Sequence, residues 1–183
     1  MPDAQSCLSA LPAGLRNHIL TLVLTPGDPD TSYALCGKFC SGQPPLALVN
    51  RQLRSETLPI YYAENIFQLH ATRPGQRGEA LGWLCVNKNH LSHLRRVSAV
   101  GWSYGVHRAT VLRIQLDLRM WPKGKIVKVH TYGQSNKTRL HTDMQKEKME
   151  PLMRQLLRGK NKGILNGEEW KAVFEMMYDI LRG

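Results

Sequence analysis

Two apolar segments near the start of the chain decide the fold: LPAGLRNHILTLVL at Leu11–Leu24 and LALVNRQLRSETLPIYYAENIFQL at Leu46–Leu69. In the first segment, Pro12 suits the first turn of a helix, because its fixed φ helps there and its missing N–H costs nothing. The prolines and the glycine at positions 26–29 end this helix. Apolar residues recur at helical spacing and predict one buried stripe, made of Leu11, Leu15, Ile19, Leu22 and Val23.

The second segment predicts another helix followed by a short strand. Leu46, Val49 and Leu53 form an apolar stripe, and the polar residues at positions 51, 52 and 54 face away from it. We expect Pro59 to bend or restart the helix, because the residue before a proline is pushed away from α geometry. The run IFQLH at positions 66–70 predicts the strand. Spacing alone indicates two core-forming helices.

Together, the two segments resemble the F-box-like domain found in many small fungal proteins. The similarity covers roughly Leu8–Leu69, and its most specific part is NRQLRSE at positions 50–56, then Pro59, Tyr61-Tyr62 and NIF at positions 65–67. Two features depart from the family pattern. Gly14 replaces the usual acidic residue, and about twenty residues separate the two helices in place of a short turn.

The resemblance implies a protein-interaction module rather than an enzyme. Its expected partner is a Skp-type adaptor of a cullin ubiquitin ligase. The residues that the resemblance places against such an adaptor are Leu11, Pro12, Leu15, Ile19, Val49 and Leu53.

Length and composition favour an intracellular, reduced protein of the cytoplasm or nucleus. A chain of 183 residues can bury a sizeable core without covalent staples. Its four cysteines give no disulfide framework. We also expect no membrane span and no secretory signal, because polar residues interrupt each apolar run and the start of the chain has no basic region.

Positive charge is concentrated behind the first 70 residues. Residues 1–70 carry four Lys/Arg and five Asp/Glu, whereas residues 71–165 carry nineteen Lys/Arg and only five Asp/Glu. The chain as a whole has a net charge of +11. A strongly acidic partner is therefore expected to bind the region after residue 70.

The middle of the chain predicts a small layer of mixed structure. A short helix at Glu79–Val86 precedes the pattern LxxLxxV (residues 91–97) and then a strand. This order of elements is similar to one leucine-rich-repeat unit. A single unit, however, cannot form a solenoid. Alternating apolar residues in Val111–Trp121 and Lys125–Tyr132 then predict an antiparallel hairpin around Pro122–Gly124. In the first strand we expect Leu112, Ile114, Leu116 and Leu118 on the buried face and Arg113, Gln115, Asp117 and Arg119 on the wet face.

The hairpin exposes a set of cations: Arg113, Arg119, Lys123, Lys125 and Lys128. Two aromatic residues, Trp121 and Tyr132, are nearby. Cations neutralise phosphates and aromatic rings stack on unpaired bases, so this pattern is typical of nucleic-acid binding. An acidic protein partner is equally compatible. Alternatively, the charges only keep a strand edge from aggregating.

Two amphipathic helices close the chain. Thr142–Arg158 carries an apolar stripe made of Met149, Leu152, Met153, Leu156 and Leu157. The second helix is capped by Asn166 with Glu169 three residues later. Its own stripe consists of Trp170, Val173, Phe174, Met177, Ile180 and Leu181. We expect both stripes to pack against the rest of the protein, and a partner-binding groove is the alternative.

No catalytic or cofactor motif accompanies these elements, so we predict neither an enzyme nor a cofactor. The nearest approach to a metal site combines Cys36 and Cys40 with His90 and His93, which would supply two thiolates and two imidazoles. The histidines are equally well explained as polar positions beside Leu91 and Leu94. Spacing alone does not establish such a site, and we predict no metal.

The resulting expectation is an α+β fold with N-terminal F-box-like helices, a small and mostly antiparallel sheet, and a C-terminal helical pair. Three regions follow: F-box-like helices at 8–70, the basic mixed layer at 71–140 and the helical pair at 141–183. The short stretch Thr72–Gly78 is the best boundary in the sequence, and the regions can share one compact domain.

Overall fold

A mixed five-stranded sheet with helices packed on one face forms the centre of the computed structural model. The structure describes residues 7–25, 32–34, 42–73, 75–104, 109–124, 126–132, 147, 149–160 and 163–182. In these ranges the helices are α1 (Cys7–Ala10), α2 (Ala13–Leu24), α3 (Arg51–Glu64), α4 (Gln76–Val86), α5 (149–157) and α6 (Gly167–Arg182). The strands are β1 (Ser32–Ala34), β2 (Ile66–Ala71), β3 (Arg96–Tyr104), β4 (Ala109–Asp117) and β5 (Val127–Tyr132).

The sheet has the strand order β1-β2-β3-β4-β5 and changes direction in the middle. The pairs β1–β2 and β2–β3 are parallel, whereas β3–β4 and β4–β5 are antiparallel. The sheet is therefore mixed, and the prediction of a mostly antiparallel sheet describes only its β3–β4–β5 half. The physical reason is the return of the chain through α4 and the 3-10 helix Lys88–His93, a crossover that starts β3 at the same end of the sheet as β2.

The predicted hairpin is confirmed, with one correction at its turn. Leu116 pairs with Val127 and Val111 with Tyr132 across β4 and β5. The first strand, however, ends at Asp117, and residues 118–120 form a 3-10 turn because the Asp117 carboxylate accepts the N–H of Arg119 at 3.0 Å. Asp117 was predicted on the wet face but is buried.

The core lies between the sheet and helices α3 to α6. The predicted stripe of α6 is confirmed as buried, and its partly buried Ile180 packs against the same core. Gly101 in β3 permits this close packing, because a Cβ at that position would stand only 3.1–3.3 Å from side-chain atoms of Leu181. The predicted cap of α6 is also confirmed: Asn166 and Glu169 exchange hydrogen bonds of 2.8 and 3.0 Å.

Helix α5 holds the turn of the hairpin. Three members of its predicted stripe, Met149, Met153 and Leu157, are fully buried, whereas Leu152 is exposed. On the other side of the helix, Glu150 accepts the edge N–H of Val127 at 3.1 Å. Its neighbour Arg154 lies over the Trp121 ring and donates to the Gly124 carbonyl. The predicted residues 142–146 and 148 fall outside the described ranges.

Helix α3 runs without interruption through Pro59, so the chain does not start a new helix there. It begins at Asn50, whose side chain accepts the N–H of Leu53 at 2.8 Å. The predicted stripe of this segment is broken, because residues 45–48 form a 3-10 helix rather than part of α3. Val49 is therefore exposed while Leu53 is buried.

Candidate interaction surfaces

Helix α2 presents to solvent the face that its sequence predicts to be buried. Leu15, Ile19, Leu22 and Val23 are 58, 37, 68 and 64% exposed. The buried residues of this helix are instead Arg16, Leu20 and Leu24. The predicted stripe was therefore wrong: α2 is turned so that most of it faces outward, and Leu11, just before the helix, is only partly buried.

An ion pair accounts for this orientation of α2. Arg16 donates from Nε to Glu56 Oε2 at 2.6 Å and from Nη2 to Glu56 Oε1 at 2.7 Å, and its Nη1 donates to the Leu11 carbonyl. Glu56 lies on α3 and also accepts from Gln52 at 3.3 Å. The hydrogen bond from Arg16 lowers the pKa of Glu56 below its ordinary value, and the pKa of Arg16 is raised in turn. This geometry is the two-pronged pairing that guanidinium and carboxylate groups favour.

A second contact fixes the other end of α2. The buried side chain of Asn65 donates to the Leu24 carbonyl at 3.0 Å and to the Tyr61 carbonyl at 2.8 Å. Asn65 ends α3, so its amide joins the last turns of both helices. With Arg16 at one end and Asn65 at the other, α2 is held in one rotation about its axis.

The exposed residues Leu15, Ile19, Leu22 and Val23 are termed the α2 surface below. On a helix with 100° between successive residues, these four positions cover an arc of about 100°. Two further exposed apolar residues, Leu48 and Val49, lie where the 3-10 helix meets α3. Of the predicted adaptor-facing residues, Pro12, Leu15, Ile19 and Val49 are exposed, whereas Leu53 is 2% exposed and is excluded from any contact.

A cleft of about 450 Å³ lies beside the α2 surface, between the end of α2 and the 3-10 helix. Val23 belongs both to the cleft and to the α2 surface, and Tyr61 contributes its side wall. The rest of its lining consists mainly of Leu24, Pro44, Pro45 and Leu46. The cleft offers an apolar recess next to an apolar helix face.

The predicted basic residues of the hairpin do not form one group. Arg119 is paired with Asp117 at 2.9 Å and with Glu64 at 3.5 Å, and the hydrogen bond to Asp117 raises its pKa. Lys123 is exposed in the turn after β4, and Lys125 lies outside the described ranges. Arg113 and Lys128 sit on neighbouring strands of the sheet.

Of the two aromatic residues predicted to accompany these cations, only Trp121 has a side chain that the structure describes. Trp121 is partly buried, and its Nε1 donates to the Lys160 carbonyl at 3.2 Å. The side chain of Tyr132 is not among those the structure describes. A different aromatic residue, Trp102 of β3, is 40% exposed, although it is not among the aromatic residues predicted to accompany the cations.

The four residues considered for a metal site are not brought together in the described part of the chain. Cys36 and Cys40 lie outside it. His90 stacks on Tyr62 with ring centroids 5.7 Å apart, and burial lowers the pKa of both His90 and His93. Among the residues whose placement is described, no group of three or more His, Cys, Asp or Glu side chains is arranged to hold a metal ion.

No family model, no curated protein and no solved structure matches this chain. Within the described ranges, no helix combines the length and the apolar character needed to cross a membrane. Two features of the described residues bear on function: the apolar α2 surface, and the cations Arg113 and Lys128 on the sheet.

Proposed function

We propose that this protein is a non-enzymatic interaction module that binds a protein partner through the α2 surface. The observation that carries the proposal is the exposure of four large apolar side chains on one face of α2. Contiguous apolar patches on a protein surface commonly mark interaction sites, because water contact with them is unfavourable. Leu48 and Val49 provide two more exposed apolar side chains on the adjoining 3-10 helix.

The Arg16–Glu56 pair supports this reading of the α2 surface. A charged pair inside the helix interface contributes less than apolar packing would, because both groups lose water. Turning α2 to bury its apolar face would bring more apolar area into the core. The fold instead keeps that area exposed and places a hydrogen-bonded pair on the inner side. This arrangement suits a helix that binds a partner.

The resemblance to F-box-like domains makes a Skp-type adaptor of a cullin ubiquitin ligase the partner to test. The adaptor-facing residues of this proposal are Pro12, Leu15, Ile19 and Val49, extended by Leu22 and Val23. Gly14, where the family usually has an acidic residue, stands in open space at the start of α2. The cleft beside Val23 offers the adaptor an apolar recess.

The test is a binding measurement with a purified Skp-type adaptor, by calorimetry or surface plasmon resonance. The double variant Leu22→Asp/Val49→Asp adds two charges to exposed positions and should weaken binding at least tenfold, since charges at the centre of an interface are desolvated. The matched control is Val86→Asp, at an apolar position on α4 that is 84% exposed. This control should bind the adaptor like the unmodified protein.

Circular dichroism and thermal unfolding establish that each variant is folded. Absence of adaptor binding by the folded, unmodified protein would rule out the adaptor as partner. Equal weakening by Val86→Asp and by the double variant would show that the α2 surface has no special role.

A further inference from the structure

The sheet has a second face, opposite to the one on which the helices pack. Strand alternation places Phe67, Val97 and Leu112 toward the helices, where Leu181 of α6 meets Gly101. The alternate residues of the same strands therefore point to the other side. Both antiparallel pairs keep an unbroken register, so this alternation holds along the full length of β3 and β4.

At the end nearest the hairpin turn this second face carries a buried row, made of Ile66, Arg96 and Asp117. Beyond it lie three less buried rows, and these three rows are termed the open sheet face. The first row is Gln68, Ser98, Gln115 and Lys128. The second row is His70, Val100, Arg113 and His130, and the third contains Trp102 and Val111. Lys128, His130 and Trp102 are exposed, and the others, except the buried Ser98, are partly exposed.

Within the described ranges, the cations of the open sheet face have no carboxylate partner. Ion pairs in the described ranges involve Arg16, Arg77, Arg119, Arg154 and Lys160. Arg113 and Lys128 have no carboxylate partner among those residues. Arg113 donates from Nε to Ser98 Oγ at 3.0 Å, and its Nη2 is buried with no acceptor in the described part of the protein. The three rows contain no Asp or Glu.

Trp102 adds an exposed aromatic ring to this charged surface. It lies on β3, two strands away from β5 and two rows away from Lys128, which corresponds to roughly 10 Å across the sheet and roughly 13 Å along the strands. Beside it, Val100 and Val111 are only partly buried and add apolar area. The ring and the cations are thus displayed together on one sheet surface.

We propose that the open sheet face binds single-stranded nucleic acid. The exposed Lys128 is placed to contact backbone phosphates, the partly buried Arg113 adds positive charge beside it, and Trp102 offers a stacking surface for an unpaired base. An acidic protein would satisfy the cations, but it would not use an exposed indole as a stacking platform. A duplex keeps its bases stacked inside and would leave Trp102 without a base. This proposal is independent of partner binding by the α2 surface.

The experiment measures fluorescence anisotropy of labelled oligo(U) and oligo(dT), each about twelve nucleotides long, over a series of salt concentrations. If two to four phosphates are contacted, a plot of log affinity against log salt should have a slope of about −1.4 to −3. Binding to either strand supports the proposal, and the ratio of the two affinities identifies RNA or DNA as the preferred form.

Two substitutions locate the binding site. Lys128→Gln should reduce the steepness of the salt slope by about 0.7, the contribution of one phosphate on a single strand. Trp102→Ala should weaken binding about tenfold through lost stacking. The matched control is Lys171→Gln, at an exposed lysine on α6, on the helical side of the sheet. It should leave both the affinity and the slope unchanged.

Several outcomes would overturn the proposal. Binding that does not depend on salt, or an affinity for a duplex of equal length that matches the single strand, would each exclude it. If Lys128→Gln and Lys171→Gln changed the affinity and the salt slope equally, the oligonucleotide would be attracted only by the net charge of the protein. In a competition experiment, polyglutamate and unlabelled oligonucleotide are added at equal total charge. If polyglutamate displaces the labelled strand as effectively as the unlabelled oligonucleotide does, the face binds an acidic protein instead. Since Lys128 is exposed and outside the core, its substitution tests the proposal even if Trp102→Ala fails to fold.

Discussion

Helices α2 and α6 both carry an apolar stripe at helical spacing, yet they are packed in opposite ways. In α6 the stripe faces the core, and Trp170 at its start is fully buried while its Nε1 donates to the Leu91 carbonyl. In α2 most of the stripe faces solvent, and a charged Arg16 is buried instead. The same pattern of residues therefore has two structural meanings.

The difference comes from what lies opposite each helix. Helix α6 packs against the sheet, where Gly101 and the small Ala99 leave room for large apolar side chains. Helix α2 packs against α3, which presents the carboxylate of Glu56 toward it. A partly buried carboxylate is stabilised by a charged partner, and Arg16 supplies one when α2 is turned with its apolar stripe outward. Amphipathic spacing thus indicates a helix, while the opposing element decides its rotation.

The largest expected effect separates two leucines within α2. Leu20 is fully buried and Leu22 is 68% exposed, although the sequence pattern predicts the reverse. Leu20→Ala should lower the free energy of unfolding by about 2–5 kcal/mol, because it removes buried methyl groups and leaves a cavity. Leu22→Ala should change it by less than about 0.5 kcal/mol. Urea unfolding followed by circular dichroism measures both.

The two alanine variants control for each other, because each replaces a leucine of the same helix with alanine. A larger loss for Leu22→Ala than for Leu20→Ala would mean that α2 is rotated with its apolar stripe inward. That result would also remove the α2 surface as a binding site.

The next effect concerns the ion pair that orients α2. Arg16 lowers the pKa of Glu56 from the ordinary value of 4.5, so the pair stabilises the fold above that pH and loses its effect as the pH falls through the lowered folded value. Glu56→Gln should destabilise the protein at pH 7 and flatten its stability profile below pH 4.5. Thermal unfolding at a series of pH values measures both.

The control for this variant is Glu175→Gln, which breaks the exposed pair of Glu175 with Arg77 at 3.4 Å. An exposed pair contributes little, so this change should leave the unfolding temperature nearly unaltered. Equal effects of the two substitutions, or an unchanged pH profile in Glu56→Gln, would contradict a structural role for the Arg16 contact.

Local pattern was sufficient to predict much of the secondary structure. The hairpin followed from alternation in β4 and β5, and the buried face of α6 followed from its spacing and its Asn166 cap. These features depend on residues that are close in sequence or on the general preference of large apolar groups for the core. For the α2 surface, spacing alone indicated a core-forming helix, whereas the resemblance placed Leu15 and Ile19 against a partner, and both are exposed.

The structural features that could not be predicted from the sequence depend on contacts between residues that are far apart in the chain. Arg16 and Glu56 are 40 positions apart, and no local pattern in the sequence predicts their contact. The same holds for Arg119, which reaches back to Glu64. The parallel pairing of β2 and β3 depends on how α4 crosses between them, and the open sheet face depends on that pairing. Trp102 had a local signal, since it is an aromatic residue in an alternating strand beside cations.

The smallest expected effect tests whether the start of α2 can regain the acidic residue that F-box-like domains usually have. Gly14 lies in the first turn, and a Cβ built there meets no atom within 4 Å. Gly14→Ala should therefore stabilise the protein by about 0.5–1 kcal/mol, through the higher helix propensity of alanine. Gly14→Glu should gain a similar amount and a further 0.3–1 kcal/mol, approximately, from its charge near the helix N-terminus. Urea unfolding at low ionic strength measures both changes.

Binding of the two Gly14 variants connects this stability effect to the α2 surface. If the adaptor contacts the first turn of α2, Gly14→Glu should alter its affinity, whereas Gly14→Ala should leave it close to that of the unmodified protein. Equal affinities for both variants would confine the contact to the later turns, around Leu22 and Val23. Loss of stability in Gly14→Ala would contradict the open space at this position, and with it the outward rotation of α2 that distinguishes this helix from α6.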